Sequence, residues 1–227
     1  GHTRRVDWAI LRGLDEPELR AVLAGTVRRR FRSGDSLFHQ GDPADSLHLL
    51  EKGHVAVRIV NLRGVTLTLD VLAPGSAFGE QGLLDDRSRR TASVVAIGPV
   101  ETRQLQRAEF VALQRAHPSV TTVLVELLAA QVRRLSEQLI DAHTMPAEQR
   151  VVQQLARLAT GFASGGSATV PLTQEELASM AGTTRPTANR ALQRLVDDDV
   201  IALARGRVEV PDLDRLLSGV RSTGGGG

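Results

Sequence analysis

Between Val27 and Arg107 short apolar runs are cut repeatedly by glycine turns. The breaks fall at Gly34-Asp35, Gly41-Asp42-Pro43, Lys52-Gly53, Arg63-Gly64 and Pro74-Gly75. Leu47 to Leu50, Val55 to Val60, Val65 to Leu72 and Thr91 to Ala96 lie between or beyond them and read as strands. Val55, Val57 and Ile59 alternate with His54, Ala56 and Arg58, the period of a half-buried strand. Many short strands with glycine turns suggest a barrel or jelly roll. Such folds also serve enzymes that hold a metal with clustered histidines. His39, His48 and His54 are scattered here, which argues against a metal and against catalysis.

Within that region one stretch carries chemistry: Phe78-Gly79-Glu80-Gln81-Gly82-Leu83-Leu84, then Arg90-Thr91-Ala92-Ser93-Val94. Gly79 lets the backbone approach a ligand closely. Glu80 is an acceptor that suits a sugar hydroxyl. Arg90 is a planar, permanently charged fork that suits a phosphate, and Thr91 adds a hydroxyl beside it. Together these groups are what a cyclic nucleotide would need. The plainer alternative is a β-turn in which Glu80 and Arg90 form an ion pair.

Either side of the β region the pattern is helical. Val6 to Leu23 reads as helix, with Asp15 as a cap and Glu16, Pro17 and Glu18 suiting a first turn. Trp8, the only tryptophan, is expected to pack. From Val120 to Ala142 a long helix carries Val125, Leu128, Val132, Leu135, Leu139 and Ala142 at heptad spacing. That seam fits a dimer coiled coil, or a helix packed on its own β domain. Pro146 suits a new helix start, whose apolar face is Val151, Val152, Leu155, Leu158 and Ala159. Gly161 to Ser167 reads as a small-residue loop.

Leu172 to Leu192 has the layout of a helix-turn-helix. Thr173 and Glu176 make a capping box, Gly182 sits at the turn, Thr184 caps the second helix and Pro186 fits its first turn. Arg185, Pro186, Asn189, Arg190 and Gln193 fall on one arc; Ala188, Ala191 and Leu195 fall opposite. The sequel is Val200 to Leu203, a turn at Arg205-Gly206 and Arg207 to Val210, which reads as a two-stranded wing. A plain helical hairpin would not need that wing. Thr173, Thr184, Arg185, Thr187, Asn189, Arg190, Arg205 and Arg207 are the candidate contacts to double-stranded DNA. Asp212 to Leu217 reads as a closing helix.

Charge alone announces none of this. The net charge is +2, and residues 146–227 hold 9 Arg against 9 Asp+Glu, so their sum is 0. Any basic surface must come from placement. Lys52 is the only lysine, a bias that suggests a GC-rich bacterial genome. With Cys 0, disulfides, thiolate metal sites and cysteine-bound iron–sulfur clusters are excluded. No apolar run reaches membrane-spanning length and no signal peptide is evident, so a cytoplasmic protein is expected. Gly1-His2 reads as a cloning remnant and Gly224–Gly227 as a flexible tail.

Taken together, these motifs resemble the bacterial cAMP receptor protein/FNR (CRP/FNR) family of transcription regulators, nearly end to end. The resemblance implies an α+β fold. An N-terminal β-roll (jelly-roll) cyclic-nucleotide-binding domain would span 1–118, a dimerisation helix and hinge 119–145, a winged helix-turn-helix 146–220 and a flexible tail 221–227. It implies that Glu80 takes the ribose hydroxyl and Arg90 and Thr91 the cyclic phosphate, with the Gly79 amide helping. The effector would be cAMP, without metal or iron–sulfur cluster. The protein would be a homodimer on a near-palindromic operator, with RNA polymerase as a candidate partner.

Two positions depart from the family pattern. A Thr-Ser pair that reads the adenine in cAMP-responsive members corresponds, without gaps, to Leu135 and Ser136. Leucine cannot hydrogen-bond a base, so the phosphate half of the site is kept and the base half weakened. The Arg-Glu start of the reading helix is Arg185-Pro186 here, and proline cannot accept a hydrogen bond from cytosine. A regulator that binds DNA without a nucleotide, its pocket vestigial or used by another anion, is the alternative reading.

Overall fold

Asp15 starts the first helix, α1 (Glu16–Ala24): its side chain accepts from the Glu18 amide while the Glu18 carboxylate accepts from the Asp15 amide. This reciprocal cap, with Pro17 in the first turn, places the helix start later than the Val6 that periodicity suggests. Trp8 precedes the helix, buried, with its indole Nε1 donating to the Leu50 carbonyl at 3.2 Å. The computed structural model describes residues 6–8, 11–84 and 87–223; Gly1-His2 and Gly224–Gly227 lie outside them. The chain divides into two units, Gly1–Thr66 with Asp70–Leu135, and Leu67–Leu69 with Ser136–Gly227.

The larger sheet is built of antiparallel strands β1 (Thr26–Phe31), β2 (Ser36–Phe38), β3 (Ser46–Val60), β4 (Thr66–Leu72), β5 (Ala77–Phe78) and β6 (Ser93–Gln106). The sheet order is β1-β6-β3-β4, with β2 also on β6 and β5 also on β3. Two expected strands, Leu47–Leu50 and Val55–Val60, are one. Lys52-Gly53 is a bulge, where the register against β6 shifts, and not a chain turn. Gly53 has φ +78, and a Cβ there would lie 2.2 Å from the Pro99 carbonyl oxygen, so only glycine fits. β6 starts at Ser93, leaving Thr91 in a bend, and continues well past Ala96.

Period-2 alternation splits the core in two. Leu47, Leu49 and Leu105 pack with Trp8, Val22 and Phe110, while Leu50, Val55, Val94 and Val100 pack with Phe78. Each such side chain contributes about 1.5–3 kcal/mol on burial. The short helix α2 (Gln81–Leu84) follows β5, and α3 (Arg107–Ala116) follows β6.

The long helix α4 (Val120–Thr144) has two apolar faces. Val123 and Leu127 join the first core cluster, while Val125, Val132, Leu135 and Leu139 are exposed. Arg134 is ion-paired with Asp70 of β4. One face of this helix packs on its own sheet, as one of the two sequence alternatives expects, and most of the heptad positions lie on the other, exposed face.

The second unit contains α5 (Ala147–Gly161), β7 (Ala163–Ser164), β8 (Ser167–Val170), α6 (Gln174–Met180), α7 (Arg185–Asp197), β9 (Ala202–Ala204), β10 (Arg207–Val210) and α8 (Leu213–Thr223). Pro146 is the N-cap of α5. The expected Gly161–Ser167 loop is a hairpin: β7 and β8 pair through Gly165-Gly166. The wing is thereby part of a four-stranded sheet, order β7-β8-β10-β9, in which Val208 sits opposite both Val170 and Leu203. Leu155, Val170, Leu177, Leu192, Val208 and Leu216 are among the buried apolar side chains of this unit. Among the described residues no helix is long and apolar enough to cross a membrane.

Candidate functional site

Arg90 is a buried charge of the first unit, only 6% exposed. Its backbone is pinned by Arg90 N donating to the Asp42 carbonyl and by Gly41 N donating to the Arg90 carbonyl, each at 2.8 Å. Nη1 donates to the carbonyls of Ser46 at 2.9 Å and Gly79 at 3.1 Å; Nη2 donates to Ser46 Oγ at 2.9 Å. The guanidinium carbon stands 4.0 Å over the Phe38 ring. Its acidic partner is Asp45, at 3.7 Å, so the ion pair with Glu80 that a bare turn would offer is replaced.

Gly79 turns in the left-handed region at φ +87, directly beneath this fork. Glu80 follows, 9% exposed, and its carbonyl accepts from the Leu83 amide. The turn thus brings Gly79, Glu80 and Arg90 together. Thr91 follows Arg90 and is exposed. Leu135 and Ser136 are exposed on α4, the last residue of the first unit and the first of the second stretch that follows it.

The electrostatics favour an added anion. Burial pulls the Arg90 pKa down, opposed by Asp45, Glu80 and Asp42. Nε of Arg90 is buried and has no hydrogen-bond partner among the described residues. A buried guanidinium whose Nε–H is unused, beside a glycine cradle, fits an oxyanion such as a phosphate. His48 stacks on Phe78 (5.4 Å between centroids, 7° between planes), and its Nδ1 lies 3.1 Å from Thr102 Oγ1. Burial, then the Arg90 charge, pushes its pKa down to about 4, so it adds no cation to the pocket.

Ser46, Asp45 and Phe38 escaped the sequence reading. Ser46 accepts from Arg90 through its carbonyl, which no residue type advertises, as well as through its hydroxyl, and Phe38 reads as ordinary core.

In the second unit Thr173 and Glu176 form the expected capping box: the Glu176 carboxylate accepts from the Thr173 amide at 2.8 Å. Thr184 is the N-cap of α7, but it makes no side-chain cap bond; its hydroxyl lies 3.1 Å from Thr187 Oγ1 instead. Arg185, Pro186, Asn189, Arg190 and Gln193 are all exposed, and Ala188, Ala191 and Leu192 are buried. The polar arc therefore faces outward. Thr173, Arg185 and Arg207 line one cleft of about 360 Å³ between α6, α7 and the wing. Arg205 is exposed at the wing turn, and Arg207 bonds Glu209 at 2.8 Å. Arg190 is engaged by Glu148 at 3.3 Å.

Arg150 was also missed as a functional support. It donates to the carbonyls of Met145, Ala181 and Gly182, tying the start of α5 to the turn before α7. An arginine one turn into a helix carries no signal of such a role.

Comparison with known proteins fits this geometry. The family described as "Cyclic nucleotide-binding domain" matches residues 28–117, and "Crp-like helix-turn-helix domain" matches residues 149–218. Over 201 residues the chain is 35% identical to the Cyclic AMP receptor protein of Thermus thermophilus, covering 88% of this chain and 91% of that one. Over 216 residues it is 29% identical to a CRP-like cAMP-activated global transcriptional regulator of Mycobacterium tuberculosis, covering 93% and 96%. The crystal structure of the Thermus thermophilus Catabolite Activator Protein aligns with TM-score 0.54 at 33% identity, over 94% of this chain and 98% of that one.

Proposed function

Since this chain belongs to the CRP/FNR family of transcription regulators, we propose that it is a cytoplasmic homodimer whose operator binding is controlled by cAMP. The observation that carries this is the buried Arg90 fork, with its unused Nε, set against Gly79. Arg90 and Thr91 hold the cyclic phosphate, Glu80 takes the ribose hydroxyl, and the Gly79 amide adds a donor. A charge-assisted contact is worth about 1.5–3 kcal/mol, against about 0.5–1.5 for a neutral one to the base. Affinity therefore rests on the phosphate half, and Leu135 lowers base discrimination.

The exposed seam of α4 joins two copies. Each copy lays the N-terminal part of α7 in a major groove, with Arg185 and Asn189 at base edges and Arg190 at the flanking backbone. Thr173, Thr184, Thr187, Arg205 and Arg207 contact the backbone. Nucleotide shifts the population toward a dimer whose two reading helices stand one helical turn apart. The DNA-bound dimer also offers a surface to RNA polymerase.

Isothermal titration of cAMP, with cGMP for comparison, tests the pocket. Micromolar binding near one nucleotide per chain, abolished by Arg90→Ala, is expected. Unchanged cAMP affinity in Arg90→Ala refutes the site.

One observation favours a second reading. Both terminal nitrogens of Arg90 already have oxygen partners in Ser46 and Gly79. A protein so satisfied can bind DNA without nucleotide, or take another anion. Equal operator affinity with and without cAMP would select this reading.

A further inference from the structure

The carboxylate of Glu148, in the first turn of α5, lies between two arginines of α7. Oε1 is 3.3 Å from Nε of Arg190, and Oε2 is 2.5 Å from Nη1 of Arg194. Arg190 Nη2 also donates to Thr187 Oγ1 at 3.3 Å. One anion thus bridges two guanidinium groups, an oxygen to each. The arginine side chains are 61% and 71% exposed and that of Glu148 28%. Ion pairs this exposed add little to stability, because water competes for both partners. They are correspondingly easy to exchange for another anion.

Arg190 and Arg194 are one helical turn apart, beside the exposed Asn189 and Gln193. They border the polar arc of α7. A phosphodiester presents two unbridged oxygens and a single negative charge, as a carboxylate does, and arginine forks suit both.

We propose that Arg190 and Arg194 form a phosphodiester site at the edge of the reading helix, and that Glu148 is its internal occupant, displaced by the DNA backbone. The inference rests on the DNA-binding reading above. It gives Arg194 a role in DNA contact and makes Glu148 a brake that acts on all duplexes alike. A phosphate takes over the two arginines, and the released Glu148 carboxylate regains water and a counterion. Net counterion release on binding is reduced accordingly.

The test is fluorescence anisotropy with cAMP present, over a range of salt. The probes are a duplex of arbitrary sequence and a duplex selected by the protein from a random pool. Glu148→Gln keeps the side-chain shape and removes the charge. It is expected to bind both duplexes about tenfold tighter near 0.1 M salt, with a dependence on salt steeper by about one ion per half-site. Arg194→Ala is expected to weaken both and to make the dependence shallower by about one. In the double variant the gain from Glu148→Gln should vanish.

Equal or weaker binding by Glu148→Gln overturns the inference alone. So does a gain that persists undiminished in the Arg194→Ala background, since that would be general repulsion and no shared site. Failure of the wild type and Glu148→Gln alike to bind either duplex overturns the DNA-binding reading and the inference with it.

Discussion

Nη1 of Arg90 lies 2.6 Å from the point that a Cβ on Gly79 would occupy. The Ser46 carbonyl oxygen is 2.9 Å from the same point. Glycine is required here twice over, by space and by its φ of +87. An L-residue in the left-handed region costs about 1–2 kcal/mol, and displacing a buried arginine adds to that. Gly79→Ala is therefore expected to lower unfolding stability by about 1–3 kcal/mol and to abolish cAMP binding. Urea denaturation and calorimetric titration measure the two effects; a variant unchanged in both would refute the cradle.

His48 makes the first unit acid-sensitive. Its pKa is about 4 in the fold against an ordinary 6.5, from burial first and the Arg90 charge second. The unfolded chain therefore binds the proton more readily between those values. Stability is flat above pH 6.5, falls as the pH drops toward 4 and levels off below. Between pH 7 and pH 5 the loss from this residue is about 2 kcal/mol. His48→Gln should remove that slope in urea titrations at the two pH values; an equal slope in the variant would assign it to other groups.

The parts of this chain that were legible in the sequence are those whose signal is local. The Thr173–Glu176 capping box, the Pro146 helix start and the Gly182 turn depend on neighbours within a few residues, and each stands where the pattern put it. The misreadings share one cause. By local pattern Gly53 ends a strand, because a lysine-glycine pair resembles a turn. Only the Pro99 carbonyl on β6, far along the chain, makes it a bulge in a continuous strand. The β7–β8 hairpin hid in a run of small residues because its reason to pair is β10, near the other end of the unit. At the pocket, residue types proposed Gly79, Glu80 and Arg90. The oxygens that hold Arg90 come from Ser46 and Gly79, and two of the three are backbone carbonyls without side-chain identity.

Arg150 should be the most sensitive support of the DNA-reading element. Its fork reaches the Met145 carbonyl at 2.8 Å, Ala181 at 3.0 Å and Gly182 at 3.1 Å. Hydrogen bonds from a charged donor are worth about 1.5–3 kcal/mol, though these three are not additive. Arg150→Ala is expected to cost about 2–3 kcal/mol and to speed amide exchange at Gly182 to Thr184. Lysine places one point charge where three acceptors need a fork, so Arg150→Lys should recover less than half. Hydrogen exchange of both variants decides this; full rescue by lysine would show that charge alone matters.

The uncovered seam of α4 supports the last prediction. Val125, Val132, Leu135 and Leu139 are 57%, 62%, 52% and 61% exposed, along a helix whose other face is already committed to Val123 and Leu127 in the core. Arg134 independently fastens that helix to Asp70. A substitution on the seam should therefore spare the fold of one chain and act on association. Leu139→Asp would set two carboxylates against each other across a symmetric interface, where like charges are strongly unfavourable. It is expected to convert a dimer to a monomer at micromolar concentration in sedimentation velocity, with the urea midpoint of the first unit unchanged. Operator affinity should fall with it, since each half-site then binds alone and the gain from linking two reading helices, on the order of a hundredfold or more, is lost. A Leu139→Asp protein that stays dimeric would place the interface elsewhere and leave the exposed seam without a partner.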